Sequence, residues 1–280
     1  MDDVLGYAGK RAVVTGAASG MGEAAATVLH DLGATVIGVD RAEISGPVDQ
    51  QVQVDLLDLA SITAGIEAID GPIDAVFNCA GLPGPPFPEI DVMTVNFLGG
   101  RELIEQLLPK MAEGSGVVYV ASAGGIGWQP NLPNLLGLLE TEGFEAGRAW
   151  LEANPEVWSA SGYAASKQAI NAWTAWACTD LMADHGVRLN CTNPGPTTTA
   201  MMPFFHEANT KELVDAALGP VGRYSTAEEQ AWPMIMLNSP RSSYVVGETF
   251  FADGGFFGAL QTGRLDMSAL MPKADERTSG

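Results

Sequence analysis

Thr15-Gly16-Ala17-Ala18-Ser19-Gly20-Met21-Gly22 decides how the rest of this 280-residue chain is read. Before it, residues 10–15 (Lys-Arg-Ala-Val-Val-Thr) form a short β-branched run. After it, residues 23–32 place small and apolar side chains at helical spacing. Strand, glycine turn and helix in succession predict a site for a dinucleotide's phosphates. Gly16, Gly20 and Gly22 let the backbone turn tightly and approach an anion, and the helix start at Ser19, Gly20 and Met21 offers free N–H groups and the positive end of its dipole. Glycines that merely punctuate a loop are the bland alternative. The flanking strand and helix argue against it.

Working outward, residues 34–40 (Ala-Thr-Val-Ile-Gly-Val-Asp) predict a second strand closed by Asp40, 18 residues past Gly22. An acid at that place can bond the ribose hydroxyls of an adenosine and repels a 2′-phosphate. Ala17 and Ala18 bring no positive charge to the loop and only Arg41 could counter Asp40, so NAD is expected over NADP. A plain strand-end turn residue is the alternative. Residues 51–55 predict a third strand, followed by Leu56. The link from Asp40 contains Gly46-Pro47 and is too short for a crossover helix. A helix over 59–69, a strand over 73–77 ending in Asn78-Cys79-Ala80-Gly81, a proline-rich loop over 82–88, and a helix over 93–111 carrying Asn96 follow. A fifth strand over 116–121 ends at Ser122. Asp40, Asn78 and Ser122 thus fall at strand C-termini, where ligands bind in doubly wound sheets.

Tyr163-Ala164-Ala165-Ser166-Lys167 opens a segment without proline or glycine from 164 to 184. A helix there puts Tyr163 and Lys167 on one face, four residues apart. A nearby cation favours a phenolate over a phenol, so the pair can move a proton to or from an alcohol or carbonyl. Alone, this spacing describes many helices with a half-buried tyrosine and a surface lysine. Further on, strands are predicted over 187–192 and 245–252 and a helix over 227–237. Residues 197–203 open a mobile-looking stretch, in which Met201, Met202, Phe204 and Phe205 fit either a substrate cover or a core helix.

Composition bounds the rest. The formal charge of −20 (34 acids against 14 bases) opposes nucleic acid and anionic membrane as partners. No apolar run approaches a membrane span, and the acidic start Met1-Asp2-Asp3 does not suit a signal peptide. Cys79, Cys178 and Cys191 are too scattered for a disulfide framework, and reduced core thiols in a cytoplasmic protein are expected. His30, His185 and His206 lack metal spacing, so no metal is expected.

Five motifs in order carry a resemblance: Thr15 to Gly22 as T-G-x-x-x-G-x-G, Asn78 to Gly81 as N-x-A-G, Ser122 after the fifth strand, Tyr163 to Lys167 as Y-x-x-x-K, and Pro194-Gly195. The chain resembles the short-chain dehydrogenase/reductase family over about residues 9–258. The resemblance implies an α/β fold: a single-domain, doubly wound parallel sheet (Rossmann fold) over residues 1–262, with a polar tail over 263–280. It implies Tyr163 as acid/base, Lys167 as the cation that lowers the tyrosine pKa and holds the nicotinamide ribose, Ser122 as the partner of the substrate oxygen, and Asn96 as the anchor of a proton-relay water. It implies Asp55 and Leu56 at the adenine and Asn78, Ala80 and Gly81 as the floor of the nucleotide site. Pro194, Gly195, Thr197 and Thr199 would lie against the carboxamide and pyrophosphate. The resemblance also implies a homodimer or homotetramer.

One interval departs from the family. Ser122 and Tyr163 stand 41 residues apart, much further than usual. The extra segment, about 128–161, is rich in Leu, Phe and Trp and fits two amphipathic helices broken at Gly143. It suits a helical cap on the core or an apolar wall for a bulky substrate, with Trp128 and Trp150 joining Phe204 and Phe205, and it puts the usual tetramer in doubt. This insertion and the missing helix after Asp40 are similar to bacterial coniferyl-alcohol dehydrogenases and 3α-hydroxysteroid dehydrogenases. Residues 147–155 and 80–84 look more like the former. The expected activity is interconversion of a bulky hydrophobic alcohol, an aromatic allylic alcohol or a hydroxysteroid, and its carbonyl with NAD, by acid-base catalysis and hydride transfer. A non-catalytic NAD sensor is the rival from another class, and an isomerase or dehydratase of the same fold is a third possibility.

Overall fold

The computed structural model describes residues 3–208 and 211–265. Seven strands form one parallel sheet: β1 (Arg11–Thr15), β2 (Thr35–Asp40), β3 (Gln50–Gln53), β4 (Ile73–Asn78), β5 (Met111–Val120), β6 (Arg188–Pro194) and β7 (Thr249–Ala252). Their order is β3-β2-β1-β4-β5-β6-β7. The chain runs outward from β1 on one side and from β4 on the other, so β1/β4 is the switch point, in register from Ala12↔Ala75 to Thr15↔Asn78. Crevices open beyond the strand ends at such a point. The doubly wound parallel sheet expected from the sequence is the fold of the chain.

Both faces of the sheet are covered, and the strands β1, β2 and β4 and the second half of β5 are accordingly largely apolar. One core lies beneath α1 (Gly20–Asp31) and α10 (Ala227–Asn238) and includes Val14, Leu29, Phe77 and Ile235. The other lies beneath α2 (Leu59–Glu67), α4 (Gly100–Leu107) and α7 (Gly162–His185) and includes Val76, Ile104, Ile170 and Trp173. No helix joins β2 to β3. Ile44 from that link is buried against the sheet instead.

The helix expected over 93–111 differs at both ends. It starts earlier, as α3 (Glu89–Met93), widens into a π-helical stretch over Thr94–Gly99, continues as α4 and stops before Lys110. Met111 already belongs to β5. The widened turn has a physical cause. The Tyr119 hydroxyl reaches in from β5 and donates to the carbonyls of Asn96 (2.7 Å) and Phe97 (3.0 Å). Gly100 makes the room, since a Cβ there would collide with that hydroxyl.

The insertion forms two helices, α5 (Trp128–Leu139) and α6 (Gly143–Ala153), broken at Gly143 as expected. Leu135, Leu138, Leu139, Phe144 and Leu151 are buried in the core beside Phe97 and Trp173. Arg101, buried on α4, donates to the Leu138 and Gly143 carbonyls and to the Thr141 hydroxyl at 3.2–3.3 Å. Arg148 on α6 bonds Thr94 (2.8 Å). The segment is therefore a cap clamped to the core. Trp150 packs against Gly137 of the insertion itself.

Residues 202–208 form α8 (Met202–Ala208), followed by α9 (Lys211–Ala216), where the sequence left open a substrate cover or a core helix. The last strand begins at Thr249, later than expected, and α11 (Phe256–Gln261) follows it. From residue 266 on, the expected polar tail lies outside the described residues.

Candidate active site

A cleft of about 530 Å³ opens at the switch point. Its wall includes Gly16, Ser19, Gly20, Met21 and Gly22 of the glycine loop, Asp40 at the end of β2, Asp55 and Leu56 after β3, Ala80 and Gly81 after β4, and Thr199. The sequence singled out all of these. The cleft also takes in Leu82, Phe87, Val95, Met201 and Phe204. Of these, Met201 and Phe204 were visible as an apolar cluster. Val95 was not, because its exposure to the cleft depends on the π-helical turn.

The loop is shaped for a phosphate. Ser19 stands at the N-terminus of α1 with no side-chain cap on the first N–H groups, which leaves them for a ligand. Gly22 lies on the Gly16 carbonyl, where any Cβ would collide. Asp40 accepts from the Ala18 N–H (3.1 Å) and the Ala42 N–H (2.9 Å), so one carboxylate braces the loop and faces the cleft. These features fit the pyrophosphate and adenosine of a dinucleotide.

Asn78 is buried and works from behind. Its Oδ1 accepts from the Thr15 hydroxyl (2.6 Å), whose oxygen accepts from the N–H groups of Cys79 (3.0 Å) and Ala80 (3.1 Å). The pair thus fixes the turn that carries Ala80 and Gly81. Pro194 ends β6 opposite Ala252, and the Gly195 N–H bonds the Ala252 carbonyl (3.1 Å). Thr197 is buried and donates to the Gly195 carbonyl (2.9 Å), with the Ser225 hydroxyl also at 2.9 Å. Its hydroxyl thus shapes this segment, while Thr199 reaches the glycine loop near Gly20.

Ser122 follows β5 and Tyr163 opens α7, and the Ser122 hydroxyl and the edge of the Tyr163 ring flank Gly124, each 3.4 Å from where its Cβ would stand. Burial raises the tyrosine pKa above its ordinary value, and the neighbouring serine side chain acts in the opposite direction. Lys167 is buried one turn on. Its Nζ donates to the Val120 carbonyl (2.9 Å) and lies 5.6 Å from the centre of the Tyr163 ring. Desolvation lowers its pKa to about 8, partly offset by the neighbouring Cys79 and Cys191. The expected lowering of the tyrosine pKa is therefore not the net result in this structure. The local i,i+4 geometry was legible in sequence, but the burial that opposes it was not.

Asn96 is fully buried in the π-helical stretch. Its side chain accepts from the Leu82 N–H (2.6 Å) and donates to the Leu82 carbonyl (3.0 Å) and the Ser166 hydroxyl (3.1 Å). Its own carbonyl is bonded by Tyr119. The residue pins the loop after Gly81 against α7.

The sheet order, the glycine loop and the Ser122–Tyr163–Lys167 cluster define the class of this protein. The chain belongs to the short-chain dehydrogenase family and is an oxidoreductase. The family model described as short chain dehydrogenase matches residues 10–133, and the one described as Enoyl-(Acyl carrier protein) reductase matches 149–257. The chain is 35% identical to the coniferyl-alcohol dehydrogenase of Pseudomonas sp. (strain HR199 / DSM 7063) over 88% of this chain and 96% of that protein. It is 29% identical to the 3-alpha-hydroxysteroid dehydrogenase/carbonyl reductase of Comamonas testosteroni, over 89% and 97% of the two chains. The 3-alpha-hydroxysteroid dehydrogenase of Pseudomonas sp. B-0831, solved with NADH, superposes with a TM-score of 0.76 at 27% identity, covering 91% of this chain and 99% of that one. The subgroup resemblance read from the insertion and the missing helix agrees with these relatives.

Proposed function

We propose that this protein oxidises a bulky hydrophobic alcohol to its carbonyl with NAD. The observation that carries the reading is the assembly of Ser122, Tyr163 and Lys167 beside a cleft that has a free helix N-terminus and Asp40 in its wall. Bound there, the nicotinamide supplies the hydride acceptor. Ser122 holds the substrate oxygen and Tyr163 takes its proton as general base. Lys167 brings a cation within reach of the phenolate and the nicotinamide ribose, and Asn96, whose polar atoms are bonded to Leu82, Ser166 and Tyr119, holds the loop after Gly81 against the helix of Tyr163 and Lys167 rather than presenting a free group to a relay water. Ser122 and Tyr163 are set in place before substrate arrives, so little reorganisation is needed as charge develops.

Asp40 underlies the choice of NAD, since its carboxylate repels a 2′-phosphate. The apolar side chains near the reacting end, Phe87, Val95, Met201 and Phe204 in the cleft and Phe205 against Tyr163, underlie the choice of a large apolar substrate. The activities for which the relatives are named support the same class. The test is NADH formation, followed by absorbance, across cinnamyl-type alcohols, hydroxysteroids, terpenols and short aliphatics, each with NAD and with NADP. Turnover with NAD on a bulky class is expected. Tyr163→Phe should then lower kcat by at least about a hundredfold while NADH still binds. Near wild-type turnover in that variant rejects the assignment.

A further inference from the structure

Asn171 lies one helical turn beyond Lys167 and two beyond Tyr163, on the same stripe of α7. It is fully buried, as is Asn193, which immediately precedes Pro194-Gly195. The two amides exchange hydrogen bonds. Asn171 Nδ2 donates to Asn193 Oδ1 and Asn193 Nδ2 donates to Asn171 Oδ1, both at 2.9 Å. Asn171 Nδ2 also donates to the Gly125 carbonyl (3.3 Å), and the Cys191 thiol donates to Asn171 Oδ1 (3.1 Å).

Gly125 closes the turn that starts at Ser122. Its N–H donates to the Ser122 carbonyl (2.8 Å), and the Gly124 N–H donates to the Ser122 hydroxyl (3.0 Å). The turn lies directly on α7. A Cβ on Gly125 would stand 2.5 Å from Asn171 Nδ2 and 2.8 Å from the Lys167 carbonyl. One side chain therefore touches three segments: the turn of Ser122, the helix of Tyr163 and Lys167, and the strand end leading into Pro194-Gly195.

We infer that Asn171 is a positioning residue, which together with Asn193 fixes the Ser122 turn on α7 and so sets how Ser122 meets Tyr163. The inference rests on the proposed roles of Ser122 and Tyr163. A buried amide that makes all its bonds has one geometry available to it, whereas a packed apolar side chain would hold the turn only by shape. Loosening the turn moves the Ser122 hydroxyl relative to the Tyr163 ring it stands beside, and that hydroxyl is what opposes the rise in the tyrosine pKa. The titratable groups around the phenol are Lys167 on the same helix and, beside Lys167, Cys79 after β4 and Cys191 on β6.

The test compares wild type, Asn171→Leu and the double variant Asn171→Leu/Asn193→Leu. Single replacement strands the Asn193 amide and destabilises the fold. Replacing both partners with apolar side chains removes that penalty, but neither variant can bond the Gly125 carbonyl. Two readouts separate positioning from mere structure: the split between kcat and the KM for NAD, and the alkaline titration of Tyr163 taken as the phenolate absorbance lost in Tyr163→Phe. The double variant is expected to fold, to keep the KM for NAD within about threefold, to lose about ten- to a hundredfold in kcat, and to titrate Tyr163 at higher pH. A folded double variant with wild-type kcat and an unchanged phenolate titration overturns the inference. If wild type turns over no alcohol, the proposed function fails. The phenolate titration then decides the inference alone.

Discussion

Phe205 sets its ring edge-on against Tyr163, with centroids 5.0 Å apart and planes inclined at 71°. The contact places α8 over the side chain expected to move the proton, and Phe204 beside it lines the cofactor cleft. Burial is what holds the Tyr163 pKa above its ordinary value. Phe205→Ala admits water to the phenol and should lower that pKa. The phenolate is the working base in oxidation, so kcat/KM should rise to its plateau at a lower pH in the variant than in wild type. The KM for a bulky alcohol should rise, because the variant loses apolar surface against the substrate. An unchanged pH–rate profile would show that Phe205 does not desolvate the tyrosine.

Asp40 carries a charge that shape alone does not require. Asp40→Asn keeps an oxygen to accept from one of the Ala18 and Ala42 N–H groups. It removes the repulsion toward a 2′-phosphate. The KM for NADP should drop by about tenfold, the KM for NAD should change by no more than a few-fold, and the preference should narrow accordingly. Steady-state kinetics with both cofactors at fixed ionic strength decide it. Equal changes in both KM values would assign Asp40 to bracing the loop rather than to selecting the cofactor.

Lys167 costs stability for the sake of its position. Its pKa of about 8 in the fold lies below the ordinary 10.5. Below pH 8 both folded and unfolded chains hold the proton, and the fold bears the whole cost of burying the cation. Between pH 8 and 10.5 the unfolded chain binds more protons, so this group's contribution to stability rises with pH. Lys167→Met should remove a penalty of roughly 3 kcal/mol at pH 7. Against that stands the Val120 carbonyl left without its partner, which costs about 1–3 kcal/mol. The variant should be at least as stable as wild type in denaturant melts at pH 7, while losing turnover. A clear loss of stability would contradict the desolvation account.

Arg101 holds the insertion to the body of the protein through the carbonyls at the end of α5 and the start of α6. Arg101→Met keeps much of the packing and removes the guanidinium's bonds to Leu138, Thr141 and Gly143, although the Leu138 carbonyl still accepts from Thr141. A loss of about 2–4 kcal/mol in global stability is expected. Limited proteolysis should also cut within residues 128–161 before the rest of the chain. Cleavage spread evenly over the surface would mean that apolar packing alone holds the cap.

What the sequence determined about this protein is what neighbours along the chain can encode. The strand, glycine loop and helix of residues 11–31 needed only β-branching, small residues and helical spacing. The same holds for the pairing of Tyr163 with Lys167 on one helix face, the two insertion helices broken at Gly143, and the missing crossover after Asp40. Only the tertiary structure decided the rest. Tyr119 widens the helix around Asn96 from 23 residues away, Phe205 covers Tyr163 from α8, and Asn171 meets Asn193 from across the fold. These contacts join segments that no periodicity links. The titration of Tyr163 and Lys167 follows from them, because a pKa answers to burial and to charges in space, and spacing in sequence specifies neither.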